Sequence, residues 1–176
     1  YHMTSRGSRF NPMAGGAPGK DSPEWLHTTT KNMRNFIRKW GTIVKHDELM
    51  KPIVVPKYDI GFVVKNCNEQ LLELLEPWCS TIYIDHSFDA KYYIDKEQPN
   101  TTMNLENRIQ SIHGKKVNDI EVRFDGSKFT NQSFQIVQQL SEILADDVKL
   151  EVGTFELDIF EITIYKLKTY EKDLIK

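Results

Sequence analysis

Two short phrases place carboxylates where chemistry could be done. YIDHSFD (83–89) sets Asp85 at the end of a predicted strand, followed by His86, Ser87 and Asp89. RFDGS sets Asp125 at the end of another, with Gly126 behind it to allow a tight turn. In open α/β sheets, ligands gather beyond the carboxyl ends of parallel strands. Carboxylates there can hold a base, a ribose hydroxyl or a metal. If the two strands are neighbours, Asp85 and Asp125 converge on one site. The ordinary alternative is that each aspartate caps the turn that follows it.

Other candidate chemistries fall on spacing. AGGAPGKD (14–21) invites a phosphate-binding loop, but that motif needs Gly, four residues, Gly-Lys and then Ser or Thr. Ala14 stands where the first glycine belongs, Asp21 stands where the magnesium-binding hydroxyl belongs, and no strand precedes them. His2, His27, His46, His86 and His113 show no paired ligand spacing, and there is no GxSxG elbow for serine chemistry. Cys67 and Cys79 flank the predicted helix EQLLELLEPW. At ~1.5 Å per residue such a helix holds its ends roughly 15 Å apart, whereas a disulfide needs Cα atoms within about 7 Å. Both cysteines therefore read as free thiols in a reducing, cytoplasmic setting. Neither has a CxxC partner, so zinc is not expected.

The elements that must position the aspartates follow from periodicity. Residues 1–21 read as loop, broken by Gly7, Pro12, Gly15, Gly16, Pro18 and Gly19. Ser22 and Pro23 open a helix, and Leu26, Met33, Phe36, Ile37 and Trp40 recur at helical spacing before Gly41 stops it. Lys31, Arg34, Arg38 and Lys39 form its polar face. Residues 42–58 read as a linker holding Pro52 and Pro56. DIGFVV (59–64), STIYID (80–85) and NDIEVRF (118–124) read as strands, separated by the helix at 69–78 and a weaker one at 101–113. TNQSFQIVQQLSEIL (130–144) is a strong helix with an apolar face of Phe134, Val137, Leu140, Ile143 and Leu144. VKLEV (148–152) and FELDIFEITIY (155–165) read as a hairpin turning at Gly153-Thr154.

The order β-α-β-α-β-α-β-β favours an α/β fold with a mostly parallel, helix-covered sheet of GT-A or Rossmann type. A ferredoxin-like α+β sandwich is the alternative. The expected organisation is a loop-and-helix arm over 1–45, a linker over 46–58, the α/β domain over 59–165 and a charged tail over 166–176. At 176 residues and 39% hydrophobic the chain can bury a core. No stretch approaches the roughly 18 apolar residues of a membrane span. The net charge of −2 hides an asymmetry. Residues 1–57 carry ten Lys/Arg against four Asp/Glu, and residues 58–176 carry thirteen against twenty-one. The basic arm is set to meet an anion or the acidic body itself. It is too sparse in Lys and Arg for a nucleic-acid tail.

Against this reading, the opening stretch resembles the C-terminal part of the catalytic domain in family-2 inverting glycosyltransferases of the GT-A fold. The parts that carry the resemblance are His2, SRGSR (5–9), the Gly-rich loop and FIRKWG (36–41). The resemblance implies that His2 helps hold a divalent metal, Mn2+ or Mg2+, and that Arg6 and Arg9 meet a nucleotide diphosphate. A leaving diphosphate needs such cations to stabilise its developing charge. Residues 57–95 resemble the first β-α-β of a GT-A domain, with Asp85, Ser87 and Asp89 in places comparable to its Asp-rich turn, which assigns Asp85 and Ser87 to substrate binding. VNDIEVRFDGSKF (117–129) falls where that family carries its metal-binding D-x-D strand, which assigns Asp125 to metal or substrate. Here Gly126 and Ser127 follow Asp125, so the second acid of the motif is missing. The resemblance implies a fragment of a nucleotide-sugar-dependent glycosyltransferase, inactive alone. Its partners would be an upstream catalytic domain, a nucleotide-sugar and a glycan acceptor. Tyr1-His2-Met3 alternatively reads as residues left by cloning. A functional alternative is a non-catalytic α/β interaction domain that binds a protein or a glycan.

Overall fold

A computed structural model describes residues 22–85, 89–146 and 152–167. The chain divides into two compact units, 1–33 and 34–176. In the first, Ser22 caps the opening helix by accepting from the Trp25 amide at 3.2 Å. Trp25, Leu26 and Met33 are exposed there. That helix, α1 (Pro23–Trp40), ends in the second unit. Gly41, with φ of +72°, stops it, and the Gly41 amide reaches the Ile37 carbonyl at 2.7 Å.

The second unit is built on a six-stranded mixed sheet. Its strands are β3 (Ile60–Lys65), β4 (Thr81–Ile84), β5 (Ile109–Ser111), β6 (Ile120–Asp125), β7 (Gly153–Leu157) and β8 (Phe160–Ile164), in the spatial order β5-β4-β3-β6-β8-β7. The first four are parallel, β8 pairs antiparallel with β6, and β7 pairs antiparallel with β8. The expectation of a mostly parallel sheet therefore holds for one part of it only. The final pair is a hairpin, and a two-residue turn cannot supply the crossover that a parallel strand needs. Four parallel neighbours are also incompatible with the antiparallel ferredoxin-like alternative.

Helices lie between the strands as α2 (Glu69–Leu75), α3 (Lys91–Glu97), α4 (Leu105–Arg108) and α5 (Asn131–Asp146). Asn68 caps α2 by accepting from the Leu71 amide, and Thr130 caps α5 by accepting from the Ser133 amide. Strand residues of one parity meet them. Ile60, Phe62, Val64, Ile82, Ile120, Val122, Phe124, Ile162 and Ile164 form one cluster with Ile37, Leu72, Leu75, Leu105, Val137 and Leu140. The opposite parity carries Gly61, Val63, Tyr83, Glu121, Arg123 and Glu161, and none of these belongs to that cluster. Helices therefore cover one face of the sheet. The link from β5 to β6 holds no helix, and its residues Ile112, His113 and Lys116 line the other face together with Val63, Arg123 and Glu161.

Several local readings change. The weaker helix over 101–113 is a single turn, α4, and its end continues as β5. The linker holds a small antiparallel ribbon of β1 (Lys45–His46) and β2 (Pro52–Ile53). The last hairpin turns at Asp158 and Ile159 rather than at Gly153-Thr154, since Leu157 pairs with Phe160 and Thr154 with Thr163. Asp158 adopts φ of +54°, which aspartate tolerates, and its carboxylate accepts from the Ser133 hydroxyl at 2.8 Å.

The largest departure concerns the polar face of α1. Arg38 is 1% exposed, and Glu76 is fully buried beneath it. Glu76 accepts from Arg38 Nη2 at 2.6 Å, from Arg108 Nε at 2.7 Å and from the Tyr93 hydroxyl at 3.0 Å. Glu97 accepts from Arg38 at 2.7 Å and from Arg34 at 2.8 Å. Burial works against these charges, but the guanidinium hydrogen bonds outweigh it, so both carboxyls stay below the usual range and Arg38 is raised. Within this unit, the basic residues of the arm thus meet the acidic body directly. FIRKWG is accounted for by packing at three positions. Ile37 enters the core, Arg38 joins the ion cluster and Gly41 ends the helix.

Candidate functional site

β3 and β6 are parallel neighbours in register from Ile60 opposite Ile120 to Lys65 opposite Asp125. After β3 the next strand, β4, lies on one side, and after β6 the next strands, β7 and β8, lie on the other, so the connections diverge beyond these two strand ends. That is the place where open α/β sheets hold ligands. A cleft of about 660 Å³ lies there and runs over the helix-free face. Its walls include Lys65, Asp85, Lys116, Arg123, Asp125 and Glu161. A second hollow of about 450 Å³ adjoins it and shares Asp85, with Asp89 and Ser111 on its wall.

Asp85 and Asp125 do come to one place, and Asn66 joins them. The Asn66 amide donates to Asp85 Oδ2 at 2.6 Å, and its side-chain Nδ2 donates to Asp125 Oδ1 at 2.9 Å. Asn66 has φ of +52°, a left-handed conformation that asparagine accepts more readily than most residues. That conformation turns the chain sharply out of β3 into α2. The Cys67 amide also reaches Asp85, at 3.4 Å. Asp125 Oδ1 accepts further from the Ser127 amide at 2.9 Å and hydroxyl at 2.7 Å. Gly126 is required by close approach, because a Cβ there would lie 2.9 Å from the Asn66 carbonyl oxygen and 2.6 Å from Leu71 Cδ2. Convergence and turn-capping, the two sequence readings, thus occur together.

These hydrogen bonds set the acidity of Asp125. The Asn66 side-chain Nδ2, then the Ser127 hydroxyl and backbone, hold its carboxyl down to about 2. Its folded value lies below the ordinary 3.8, so this contribution to stability is present above about pH 4 and is lost as pH falls through about 2. Asp125→Asn is expected to flatten this part of the acid profile. Thermal midpoints measured from pH 5 to pH 2 should fall more steeply for the wild type than for the variant.

The cations of the cleft are less engaged. Lys65 has no carboxylate partner among the described residues. Lys116 Nζ donates to the carbonyls of Ile112 and Gly114 and lies 5.4 Å from the centre of the Tyr83 ring. Arg123 donates to Glu121 at 2.7 Å and stands 4.0 Å from Glu161. The segment bearing Lys116 is pinned by Asn118. Tyr83 donates to Asn118 Oδ1 at 2.9 Å, and Asn118 donates to Asp59 at 2.7 Å. Its side chain lies so near β3 that only glycine fits at position 61.

Of the residues chosen from sequence, Asp85 and Asp125 lie in the cleft. His2, Arg6, Arg9 and Ser87 lie outside the described residues. As donors for a divalent ion the described residues fit poorly. Asp85 and Asp125 already accept several hydrogen bonds, and no three His, Cys, Asp or Glu side chains come together among the described residues. Cys67 and Cys79 are buried and form no disulfide, and burial pushes both thiols up to about 12, so neither is a nucleophile at neutral pH. Among the described residues no helix is long and apolar enough to cross a membrane. Asn66, Lys65, Lys116 and Arg123 were not singled out by sequence. For Asn66 the available signal was an asparagine directly after a strand that ends in lysine.

No family model, no curated protein and no solved structure matches the chain.

Proposed function

We propose that residues 59–165 form an accessory nucleotide-sugar-binding domain of a glycosyltransferase, without a complete catalytic centre of its own. The observation that carries this reading is the cleft beyond β3 and β6, where strand-end carboxylates face Lys65, Lys116 and Arg123. A nucleoside diphosphate sugar offers both complements. Its phosphates suit the cations, and its ribose and sugar hydroxyls suit carboxylate or carbonyl acceptors. The resemblance of SRGSR and the Asp85 turn to GT-A elements supports the choice of ligand class. The catalytic Mn2+ or Mg2+ and the glycan acceptor are assigned to the intact enzyme, outside the described residues. Two cysteines outside any disulfide accord with a reducing, cytoplasmic setting.

Calorimetric titration with UDP- and GDP-sugars tests this. Saturable binding to one site is expected, with loss of affinity in Arg123→Glu, which reverses the charge on the cleft wall. Heat unchanged in that variant, or no binding to any donor, would sink the proposal. The exposed apolar residues Val44, Leu49, Met50, Ile53 and Val54 around the β1–β2 ribbon favour a second reading, a non-catalytic domain that binds a protein. On that reading no donor binds.

A further inference from the structure

Resting on the reading of the cleft as a ligand site, we infer that it takes the phosphate groups of its ligand directly on Lys65, Lys116 and Arg123, with no bridging divalent ion. Three observations lead there. The first concerns the acids. Asp85 accepts from two backbone amides and Asp125 from Asn66 and Ser127, so a metal would have to displace contacts that hold the turns after β3 and β6. The missing second acid at Ser127 has the same effect, because its amide and hydroxyl cap Asp125 where the family would offer a ligand.

The second concerns the cations. An ammonium carries three donors and a guanidinium five. Lys116 uses two of its donors on carbonyls, which do not neutralise its charge, and Lys65 has no carboxylate partner among the described residues. Arg123 keeps Nη1 for a further acceptor among the described residues, since Nη2 meets Glu121 and Nε faces Glu161. The third is placement. All three cations line one cleft of about 660 Å³, large enough for a diphosphate and the groups on either side of it. His113 lies on the same wall. Charge-assisted hydrogen bonds from such donors are the strong ones for phosphate oxygens.

The test is calorimetric titration of the full chain with inorganic pyrophosphate and with UDP-glucose, each in excess EDTA and in excess Mg2+. Binding in EDTA is expected for both, within about threefold of the affinity in Mg2+. Lys65→Gln and Lys116→Gln are each expected to weaken it about tenfold or more, from the value of a hydrogen bond to a charged group. Lys96→Gln, at the exposed pair with Glu73 and on the wall of neither hollow, should leave it unchanged. UDP-glucose binding that requires Mg2+ would overturn the inference and leave the nucleotide-sugar reading standing. So would binding indifferent to both cleft lysines. No binding of either probe under any condition would overturn both. Binding of UDP-glucose without pyrophosphate would show that the nucleoside or sugar, rather than the phosphates, is recognised, and would also contradict the inference.

Discussion

Glu76→Ala is expected to cost about 3–5 kcal/mol, the penalty of leaving buried charge without its partner. Glu76 is the acceptor for Arg38 and Arg108, and the Tyr93 hydroxyl closes on the same carboxylate. Arg38 has no exposed side-chain surface, so it cannot turn to water when Glu76 is removed. Glu97 would then face Arg34 and Arg38 alone. Against a typical total stability of about 5–15 kcal/mol, that loss is large. Glu76→Gln keeps the volume and part of the hydrogen bonding, and should lose less. The control is Glu73→Gln at the exposed Lys96–Glu73 pair, whose atoms stand 3.7 Å apart. There the expected change is about 0–1 kcal/mol. Denaturant midpoints for the three variants decide it. Similar losses for Glu76→Ala and Glu73→Gln would contradict the assignment of a buried cluster. The sign of the pH dependence follows as well. The Glu76 and Glu97 carboxyls are held below their ordinary value, so their contribution is full above the unfolded carboxylate range and is lost as pH falls below it.

Gly61→Ala is expected to destabilise by about 2–4 kcal/mol, combining overpacking with hydrogen bonds left unmade. A Cβ at position 61 would lie 2.4 Å from Asn118 Oδ1 and 2.8 Å from its Cγ, so the whole amide must move. Asn118 would give up Tyr83 and Asp59, and the Tyr83 hydroxyl, on a side chain only 1% exposed, would lose its 2.9 Å bond and keep the longer one from the Val117 amide at 3.3 Å. The segment 112–118 would lose its pin on the sheet, and Lys116 its position in the cleft. Gly61→Ala combined with Asn118→Ala should recover the part due to the clash but not the part due to the hydrogen bonds. A double-mutant cycle reads that difference as a coupling. Strict additivity of the two changes would show that Gly61 and Asn118 do not meet.

The sheet was legible where apolar residues run together. DIGFVV, STIYID and NDIEVRF all become parallel strands, and residues of both parities are buried along much of their length, as continuous apolar runs imply. β5 was not legible, since its three residues bury only Ile109 and follow a helical turn without a break. α3 escaped for a related reason. KYYIDKE buries Tyr93 alone, so no apolar periodicity marks it. The hairpin turn was placed at Gly153 by residue type, whereas register puts it at Asp158, where aspartate takes the left-handed conformation.

Charge misled most at Arg38. On a helical wheel it belongs to the solvent face, and no property of α1 alone reveals that Glu76 waits beneath it. The partner comes from a separate helix 38 residues away, which is long-range information. The site was legible in its acids and not in its bases. Strand ends locate Asp85 and Asp125 by topology alone. Lys116 enters the cleft only because the β5–β6 link crosses the sheet without a helix, and Arg123 because its strand parity puts it on the face that the helices leave uncovered, neither of which local sequence encodes.

Chemical-shift mapping of the isotope-labelled chain on addition of UDP-glucose decides whether this cleft is a ligand site. Amide shifts are expected to cluster at Lys65, Asn66, His113, Lys116, Arg123 and Asp125, with Leu49 and Met50 of the ribbon unmoved. Shifts confined to the ribbon, or none at saturating donor, would contradict a ligand site there.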